Sequence, residues 1–484
     1  MNSRLSGPYA FHVSGFDSAN HPIAAAGNFV ANDDGTIQGG GSEDMLVAGV
    51  PAACTILNTS TYALDVNNHG TITLRTSGTG ACSSPSARTY KIVLNAKGNG
   101  HMIQFDSNGR ASGEIAQAGP ANQVFKNSAF VGSFAFGFTG SDIGGNRVGL
   151  AGVFQADGAG GIAATGSLDI NDHGSPTSSS GFDSASSHYS IAADGTGTLT
   201  LVSNGATYNF AIYVVGGKTQ NAVNPLTLFA ISNDGPTNHS VAGTILFQDP
   251  TQVYDKSALS NFAVTNLTGV DSTGTHAQVS LTTARGDSNG NISASYDANN
   301  AGTIVAAQTF NSTYSATGSG RYTVDWLSPA VHFVLYLTAA NRGFLLDQSS
   351  AAVYTGTMDP QPGSSFGPAE MAGPFDAATR GSGAPGASHL VMNLLMTTAI
   401  PNFTVAGTQD ESDGGQNPGQ TVAGTGSVNG GTATGTITLT QPVATKYVFY
   451  PLDNPKQSGF LIQHFEMIDV DPANTNPSII FAER

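Results

Sequence analysis

The chain has 484 residues, of which 10% are charged and 61 are glycine, and its formal net charge is −16. This length is too great for one hydrophobic core, and 39% hydrophobic residues argue against a disordered chain. The excess of acids repels phosphate groups, so nucleic acid and anionic membranes are poor partners, and no apolar stretch is long enough for a transmembrane helix.

A segment near the N-terminus recurs along the chain. Residues Tyr9–Asp17 return as Phe134–Asp142 and, more faintly, as Phe262–Asp271. A repeat of this length is a folding unit and not one rung of a solenoid. The predicted domains are 1–124, 125–256, 257–365 and a divergent fourth repeat, 366–484.

Each repeat alternates apolar and polar residues in short runs that end at glycine turns. In the first repeat Tyr9, Phe11 and Val13 point to one face and the residues between them to the other. Turns such as Asp34-Gly35 accept the positive φ of tight hairpins. About eight hairpin-linked strands fit in one repeat, which predicts an all-β chain of tandem antiparallel up-and-down β-barrels, with β-sandwiches as the alternative.

Bulky side chains occupy the inward positions of the predicted strands. The inward set is Phe134, Phe136, Phe138, Tyr208, Phe210, Trp326, Phe333 and Leu335. By the same alternation, Asp65 and Asp325 face outward as surface charges. Such a lining predicts barrels filled by their own cores, or alternatively an apolar ligand cavity in one of them.

The repeat has a recognisable set of sequence motifs. It opens on Tyr9-Ala-Phe, continues through Ala26-Gly-x-Phe-x-Ala to an Asp-Gly turn, and then reads Gly70-Thr-Ile-Thr-Leu. These motifs resemble a repeat of uncharacterised exported or lipid-anchored bacterial proteins. The predicted barrels are similar to lipocalin-like and avidin-like domains in architecture alone, so the resemblance implies a fold and export but no chemistry.

Cys54 and Cys82 are the only cysteines. Both fall in long connections at one end of the first predicted barrel, so we expect a disulfide in preference to two free buried thiols. A disulfide implies an oxidising compartment. The expected location is therefore extracellular or at the cell surface, with an export signal already removed.

Sequence motifs for catalysis and cofactor binding are absent. The chain has no Gly-x-Ser-x-Gly elbow, no His-Glu-x-x-His and no phosphate-binding loop ahead of a helix. We therefore expect no cofactor and favour a protein that is not an enzyme.

One position departs from the apolar pattern in the fourth repeat. Aligning Met102–Phe105 with Leu461–His464 places His464 at an inward position, with Glu466 on the same face. A buried histidine beside an acid is a candidate general base or ligand, although a solvated histidine at a strand end explains the pattern equally well.

Acidic turns supply the candidates for calcium. Asp410, Glu411 and Asp413 gather three carboxylates, and Asp287–Asn291 offers oxygen atoms at alternate positions. Neither segment has the remote bidentate acid that completes a calcium loop, so ordinary turns are the alternative.

The sequence therefore predicts a non-enzymatic extracellular binding or scaffold protein. Its tandem barrels would bind polysaccharide or a small apolar ligand, with avidity from the repeated units. The alternative is a hydrolase or isomerase with its active site in the fourth repeat. Short connections near Asp249-Pro250 and Gln361–Gly363 predict limited freedom between neighbouring units.

Overall fold

The structure is a computed structural model of the chain, and it is built almost entirely of antiparallel β-strands. The described residues form four separate sheets, one for each predicted domain, called units 1 to 4 below. The described residues are 4–83, 86–120, 123–142, 144–216, 227–234, 239–270, 274, 276–326, 331–349, 352–361, 366–380, 384–429, 433–452 and 461–484.

Unit 1 is a nine-stranded sheet. Its strands are β1 (Gly7–Asp17), β2 (Pro22–Ala31), β3 (Ser42–Val47), β4 (Val50–Ile56), β5 (Thr61–Leu64), β6 (His69–Gly78), β7 (Ser86–Leu94), β8 (Gly100–Gln104) and β9 (Gly109–Gln117). They pair in the order β4-β3-β2-β1-β9-β8-β7-β6-β5, and a further pairing of β4 with β6 closes the sheet on itself.

Unit 2 repeats this order with nine strands. Its strands are β10 (Val131–Ser141), β11 (Arg147–Asp157), β12 (Ile162–Asp172), β13 (Ser175–Ser180), β14 (His188–Ile191), β15 (Thr196–Ser203), β16 (Ala206–Val215), β17 (Thr227–Ser232) and β18 (Ser240–Phe247). The edge strands β13 and β14 share no ladder within the described part of the unit, so this sheet is curled without a closing pairing.

Units 3 and 4 are closed eight-stranded barrels. The strands of unit 3 are β19 (Phe262–Val270), β20 (Ala277–Gly286), β21 (Asn291–Asn300), β22 (Thr303–Gly318), β23 (Arg321–Asp325), β24 (His332–Ala339), β25 (Arg342–Asp347) and β26 (Thr355–Pro360). Those of unit 4 are β27 (Gly373–Thr379), β28 (His389–Ala399), β29 (Asn402–Ser412), β30 (Gln416–Asn429), β31 (Thr434–Gln441), β32 (Thr445–Leu452), β33 (His464–Asp469) and β34 (Ile479–Glu483).

The predicted all-β architecture of antiparallel barrels is confirmed, although unit 2 has no closing ladder within the described residues. Units 1 and 2 also differ from the prediction in strand number. The 16-residue strand β22 pairs with β21 along its first part and with β23 along its last part. In units 1 and 2 two shorter strands stand in its place, β4 and β5 or β13 and β14. In unit 1 a turn closed by a hydrogen bond from Ser60 N to Leu57 O separates them. A single interrupted strand therefore accounts for nine strands where about eight were expected.

The inward side chains fill the units. Phe134, Phe136, Phe138 and Phe210 belong to the core of unit 2, with Tyr208 packed against it, and Trp326, Phe333 and Leu335 belong to the core of unit 3. Asp65 and Asp325 are exposed, as predicted. A pocket inside unit 3 holds only about 10 Å³, which is too small for a ligand.

The predicted disulfide joins Cys54 and Cys82, whose Cα atoms lie 5.7 Å apart. Cys54 is on β4 next to the β4–β6 closure, where it pairs with Gly78. The disulfide therefore stabilises the β4–β6 pairing that closes unit 1.

The four units are closed into a ring and are not arranged as a linear string. Each unit packs an outer face against the next through an apolar cluster, and unit 4 packs against unit 1. The clusters include Ala10, Leu46, Tyr213 and Phe229 between units 1 and 2, Ala135, Val153, Val334 and Phe344 between units 2 and 3, Val264, Leu281, Tyr450 and Ile468 between units 3 and 4, and Val93, Ile103, Phe105, Ala378 and Val391 between units 4 and 1. The connection at Gln361 continues into Pro362-Gly363, which lie outside the described residues.

An aspartate on the third strand of each unit marks these contacts. In three of them a tyrosine of the following unit donates its hydroxyl hydrogen to the aspartate. The pairs are Tyr213–Asp44, Tyr336–Asp169 and Tyr450–Asp297. The hydroxyl satisfies a carboxylate that the contact takes out of water.

The contact between units 4 and 1, which closes the ring, also has an aspartate on the third strand, but its partners differ. Asp410 on β29 is 1% exposed and lies 2.7 Å from His69 Nε2 and 3.3 Å from Lys91 Nζ of unit 1. Two basic side chains thus take the place of the tyrosine between units 4 and 1.

Candidate functional site

The units leave a cavity of about 330 Å³ where they meet, called the central cavity below. Its walls come from all four units: from β1, β8 and β9 of unit 1, from β10, β11, β17 and β18 of unit 2, from β19, β25 and β26 of unit 3, and from the end of β27 with the start of β34 in unit 4. This volume is in the range of small-molecule binding sites.

In units 1 to 3 the first strand supplies part of this wall, because its outward face points to the centre of the ring. In units 1 to 3 one register position on this strand pairs with the last strand of the same unit. The cross-strand pairs are His12–Glu114, Gly137–Thr244 and Asn266–Thr357. The repeat therefore brings three different pairs to one place, and the chemistry of the cavity comes from positions at which the repeats differ.

Arg380 is the central cation of the cavity. Its Nη1 donates to Glu466 Oε1 at 3.0 Å, and its Nη2 lies 3.6 Å from Glu114 Oε1. The guanidinium also stacks over the Phe481 ring, 4.6 Å from its centre. Arg380 and Glu114 leave 31% and 32% of their side chains accessible, and both line the cavity, so this accessible surface faces a ligand space.

Glu466 lies behind Arg380 and holds it in place. Only 1% of the Glu466 side chain is exposed, and its Oε1 also accepts a hydrogen bond of 2.6 Å from Asn266 Nδ2. Asn266 in turn donates to Thr357 Oγ1 at 2.7 Å and accepts from Thr357 N at 3.1 Å. This chain of hydrogen bonds links units 3 and 4 and fixes the orientation of the guanidinium.

Two histidines of unit 1 complete the polar wall. The His12 ring lies 4.5 Å from the Phe229 ring, and neither of its nitrogens has a hydrogen-bond partner among the described residues. His101 Nε2 lies 3.6 Å from Glu483 Oε1. Both nitrogens of His12 are buried, and the described residues use neither the one donor nor the one acceptor of its neutral imidazole.

The charges of the site follow from burial and from Arg380. Burial lowers the pKa of His12 and of His101, so both rings are neutral at pH 7. Burial raises the pKa of Glu466 to about 7, although Arg380 opposes the shift. For Glu114, burial raises the pKa, but nearby positive charge, chiefly that of Arg380, outweighs it and holds the pKa below the usual value. One carboxylate beside Arg380 is therefore ionised, and the other changes its proton near neutrality.

Arg342 and Asp359 form the exposed rim of the cavity. Arg342 Nε donates to Asp359 Oδ1 at 3.0 Å, and 46% of the arginine side chain is exposed. We infer that the cavity meets solvent on this side.

The structure corrects the predicted orientation of His464 and Glu466. Phe465 and Met467 point into the core of unit 4, so Glu466 faces unit 3. The template residue Phe105 is itself outward, in the contact between units 4 and 1. The two aligned residues therefore share a face, and the error was to take Phe105 as inward; a mistake of one position in parity exchanges the two faces of a strand. His464 lies 3.7 Å from Glu483 and stacks on Phe481, with 32% of its side chain exposed.

The acidic candidates are held by neighbours and not by each other. Asp410 faces unit 1, Glu411 accepts a hydrogen bond of 2.7 Å from Ser388, and Asp413 accepts one of 3.0 Å from Gly415 N. Within the described residues, no three metal-ligating side chains converge.

The Asp287–Asn291 segment is a hydrogen-bonded turn. Asp287 accepts hydrogen bonds from the backbone of Asn289 and Asn291 at 2.8 and 3.0 Å and from the Asn291 amide at 2.7 Å. These bonds hold the pKa of Asp287 below its usual value. The carboxylate is occupied by its own turn, as is typical of Asx turns.

Sequence reasoning missed His12, Glu114 and Arg380 because it treated each repeat alone. A signal was present in the outward face of the first strand, where Ala10 and Gly137 are small although a solvated strand face is usually polar. A Cβ atom at Gly137 would lie 2.5 Å from Phe344 of unit 3, which shows how closely the units approach. Small outward residues at repeated positions therefore indicated packing between units.

No protein-family model matches this chain, and no curated protein is significantly similar to it. The described residues include no helix long and apolar enough to cross a membrane.

Proposed function

We propose that the protein is a non-enzymatic binding protein that takes a small hydroxylated ligand, such as a sugar, into the central cavity. The observation that carries the proposal is the cavity of about 330 Å³ walled by all four units, with His12, whose nitrogens have no hydrogen-bond partner among the described residues, in its lining. A buried polar group without a partner is costly, and a ligand hydroxyl would satisfy it.

The lining supports a sugar more than an apolar ligand. Glu114 and Asp359 can accept hydrogen bonds, and Arg380 can donate them. Sugar hydroxyls both donate and accept, so they match a mixed set of this kind. An apolar ligand would add no hydrogen bond to these groups beyond those they make with each other.

Export of the protein is part of the proposal. The Cys54–Cys82 disulfide supports an oxidising compartment, and the resemblance of the repeat to exported bacterial proteins agrees with it. A hydrolase or isomerase in unit 4 has less support, because Glu466 lies behind Arg380 and does not reach the cavity wall.

The test is isothermal titration of the full chain against a panel of neutral monosaccharides and disaccharides. We expect one bound molecule per chain and an affinity at least tenfold weaker for Glu114→Gln, since a hydrogen bond to a charged group contributes about 1.5–3 kcal/mol. Glu411→Gln makes the same change away from the cavity and should leave the affinity unchanged. Binding that Glu411→Gln weakens as much as Glu114→Gln would contradict the proposal, as would turnover of the bound sugar.

A further inference from the structure

A second cavity of about 80 Å³ adjoins the central cavity and shares Ser14 and Thr139 with its lining. Arg147, Ser141 and Ser240 lie on its wall. Ser141 on β10 pairs directly with Arg147 on β11 and with Ser240 on β18. Directly paired residues of neighbouring strands point to one face, so the three side chains form a row, called the Arg147 row below.

Arg147 is a buried cation whose known partners are all neutral. It is 8% exposed, and its Nη2 donates to Thr268 O at 2.9 Å, to Thr268 Oγ1 at 3.0 Å and to Thr355 Oγ1 at 2.8 Å. Within the described residues no carboxylate forms an ion pair with it, and burial lowers the pKa of its guanidinium to about 10. A buried charge without a counter-charge is strongly unfavourable, so we expect an anion to bind beside Arg147.

Three donors of the row lack hydrogen-bond partners within the described structure. They are Arg147 Nε, Ser141 Oγ and Ser240 Oγ, and all three atoms are buried. Ser141 and Ser240 are 4% and 6% exposed. Nearly all buried polar atoms in proteins are paired, so three unpaired donors on residues that line one small cavity indicate a missing acceptor.

We propose that the Arg147 row binds the oxygen atoms of a small oxyanion. The oxyanion is either a free inorganic ion or the acidic group of the ligand held in the central cavity. Water has about 30 Å³ in the liquid, so a cavity of about 80 Å³ has room for a group of several oxygen atoms. Water could satisfy the serine hydroxyls but would leave the arginine charge uncompensated. Binding of a free inorganic ion does not depend on the proposed function, whereas binding of the acidic group of a ligand rests on it.

The experiment measures binding of sodium phosphate to the full chain, by calorimetry and by the melting temperature, against sodium chloride at equal ionic strength. We expect phosphate to raise the melting temperature, because an anion that binds only the folded chain stabilises it. The double variant Ser141→Ala, Ser240→Ala should bind phosphate at least tenfold more weakly. It removes hydroxyls that have no partner in the described structure, so it should fold. Ser190→Ala, on the exposed face of β14, is the matched serine control and should bind like the original protein.

Arg147→Met should abolish the phosphate effect, and Arg75→Met, which replaces an exposed arginine of β6, should retain it. A second arm compares glucuronate with glucose. If phosphate does not bind but glucuronate binds more tightly than glucose, and Arg147→Met removes the difference, the anion is the acidic group of the ligand.

The proposal is overturned if neither phosphate nor glucuronate shows binding that depends on Arg147. It is also overturned if Asp271→Asn lowers the melting temperature as much as Arg147→Met while the original protein binds no anion. Asp271 lies outside the described residues, and this result would identify it as the counter-charge. Failure of neutral sugars alone would count against the proposed function and not against phosphate binding at the Arg147 row.

Discussion

Glu466 is an acid held between units 3 and 4, where Asn266 and Arg380 both donate hydrogen bonds to it. The carboxyl has a pKa of about 7 in the folded protein, mainly because it is buried, against 4.5 for an ordinary glutamate. Between these two pH values the unfolded chain has lost the proton that the folded chain still holds. Stability from this group is therefore greatest at low pH and falls as the pH rises from 4.5 to 7.

Replacing Glu466 by glutamine should remove this part of the pH dependence. The original protein should lose up to about 3 kcal/mol of unfolding free energy from this group over that range, and Glu466→Gln should not. Buried Asp376 and Asp347, with pKa values of about 7 and 6, add a similar decline that the variant retains. Urea unfolding at pH 5 and pH 7.5 measures the difference. Equal declines in the two proteins would show that Glu466 ionises normally.

The tyrosine–aspartate pairs should differ in how much the tyrosine hydroxyl contributes to stability. Asp169 also accepts hydrogen bonds from Arg321, whose Nε and Nη2 lie 2.7 and 2.9 Å from its oxygens. Among the described residues, Asp297 accepts hydrogen bonds from Tyr450 and from the backbone of Ala307. Tyr450→Phe should therefore cost about 1–3 kcal/mol and Tyr336→Phe clearly less, since Asp169 keeps its arginine.

Denaturant unfolding of both variants checks this order. Tyr208→Phe, which changes a tyrosine with no hydrogen bond in the described structure, is the control for removal of a hydroxyl and should be nearly neutral. An equal loss in Tyr336→Phe and Tyr450→Phe would show that the arginine does not compensate.

At the level of strands, the sequence was sufficient for most of the fold. Alternation and glycine turns predicted the strands, and the inward aromatics were identified correctly because each lies in a long regular run. The prediction for His464 failed because Phe105, with which it was aligned, was taken as inward although it faces unit 4. Phe105 comes directly after the five-residue strand β8, and at the end of so short a strand the apolar character of one residue does not reveal which face it is on.

The disulfide should stabilise unit 1 in particular. It closes a loop of 28 residues beside the β4–β6 pairing, while units 3 and 4 close through hydrogen-bonded ladders alone. Replacing Cys54 and Cys82 by alanine should cost about 3 kcal/mol, mostly as unfolded-state entropy. Hydrogen exchange should show faster opening of β4 and β6 than in the original protein, and unchanged protection in unit 4. Equal loss of protection in all four units would show that unit 1 does not unfold separately.

For the whole molecule, the candidate site was beyond sequence reasoning. Glu114 and Arg380 lie in different units, and only closure of the ring brings them within 3.6 Å. The hydrophobic periodicity within a strand does not predict this contact, because ring closure depends on how the outward faces of different units fit one another. The weak sign was the small outward residues of the first strands, which predicted contact between units but not the identity of the partners.

The central claim is that the four units form a closed ring around one cavity, and small-angle X-ray scattering of the full chain tests it most directly. A compact ring of 484 residues should have a radius of gyration of about 23 Å. Four barrels in an extended row should exceed about 30 Å, because the distances between their centres then dominate. A value near 23 Å with a single compact distance distribution is the predicted result. A larger value, or a distribution with several separated peaks, would contradict the ring and with it the central cavity.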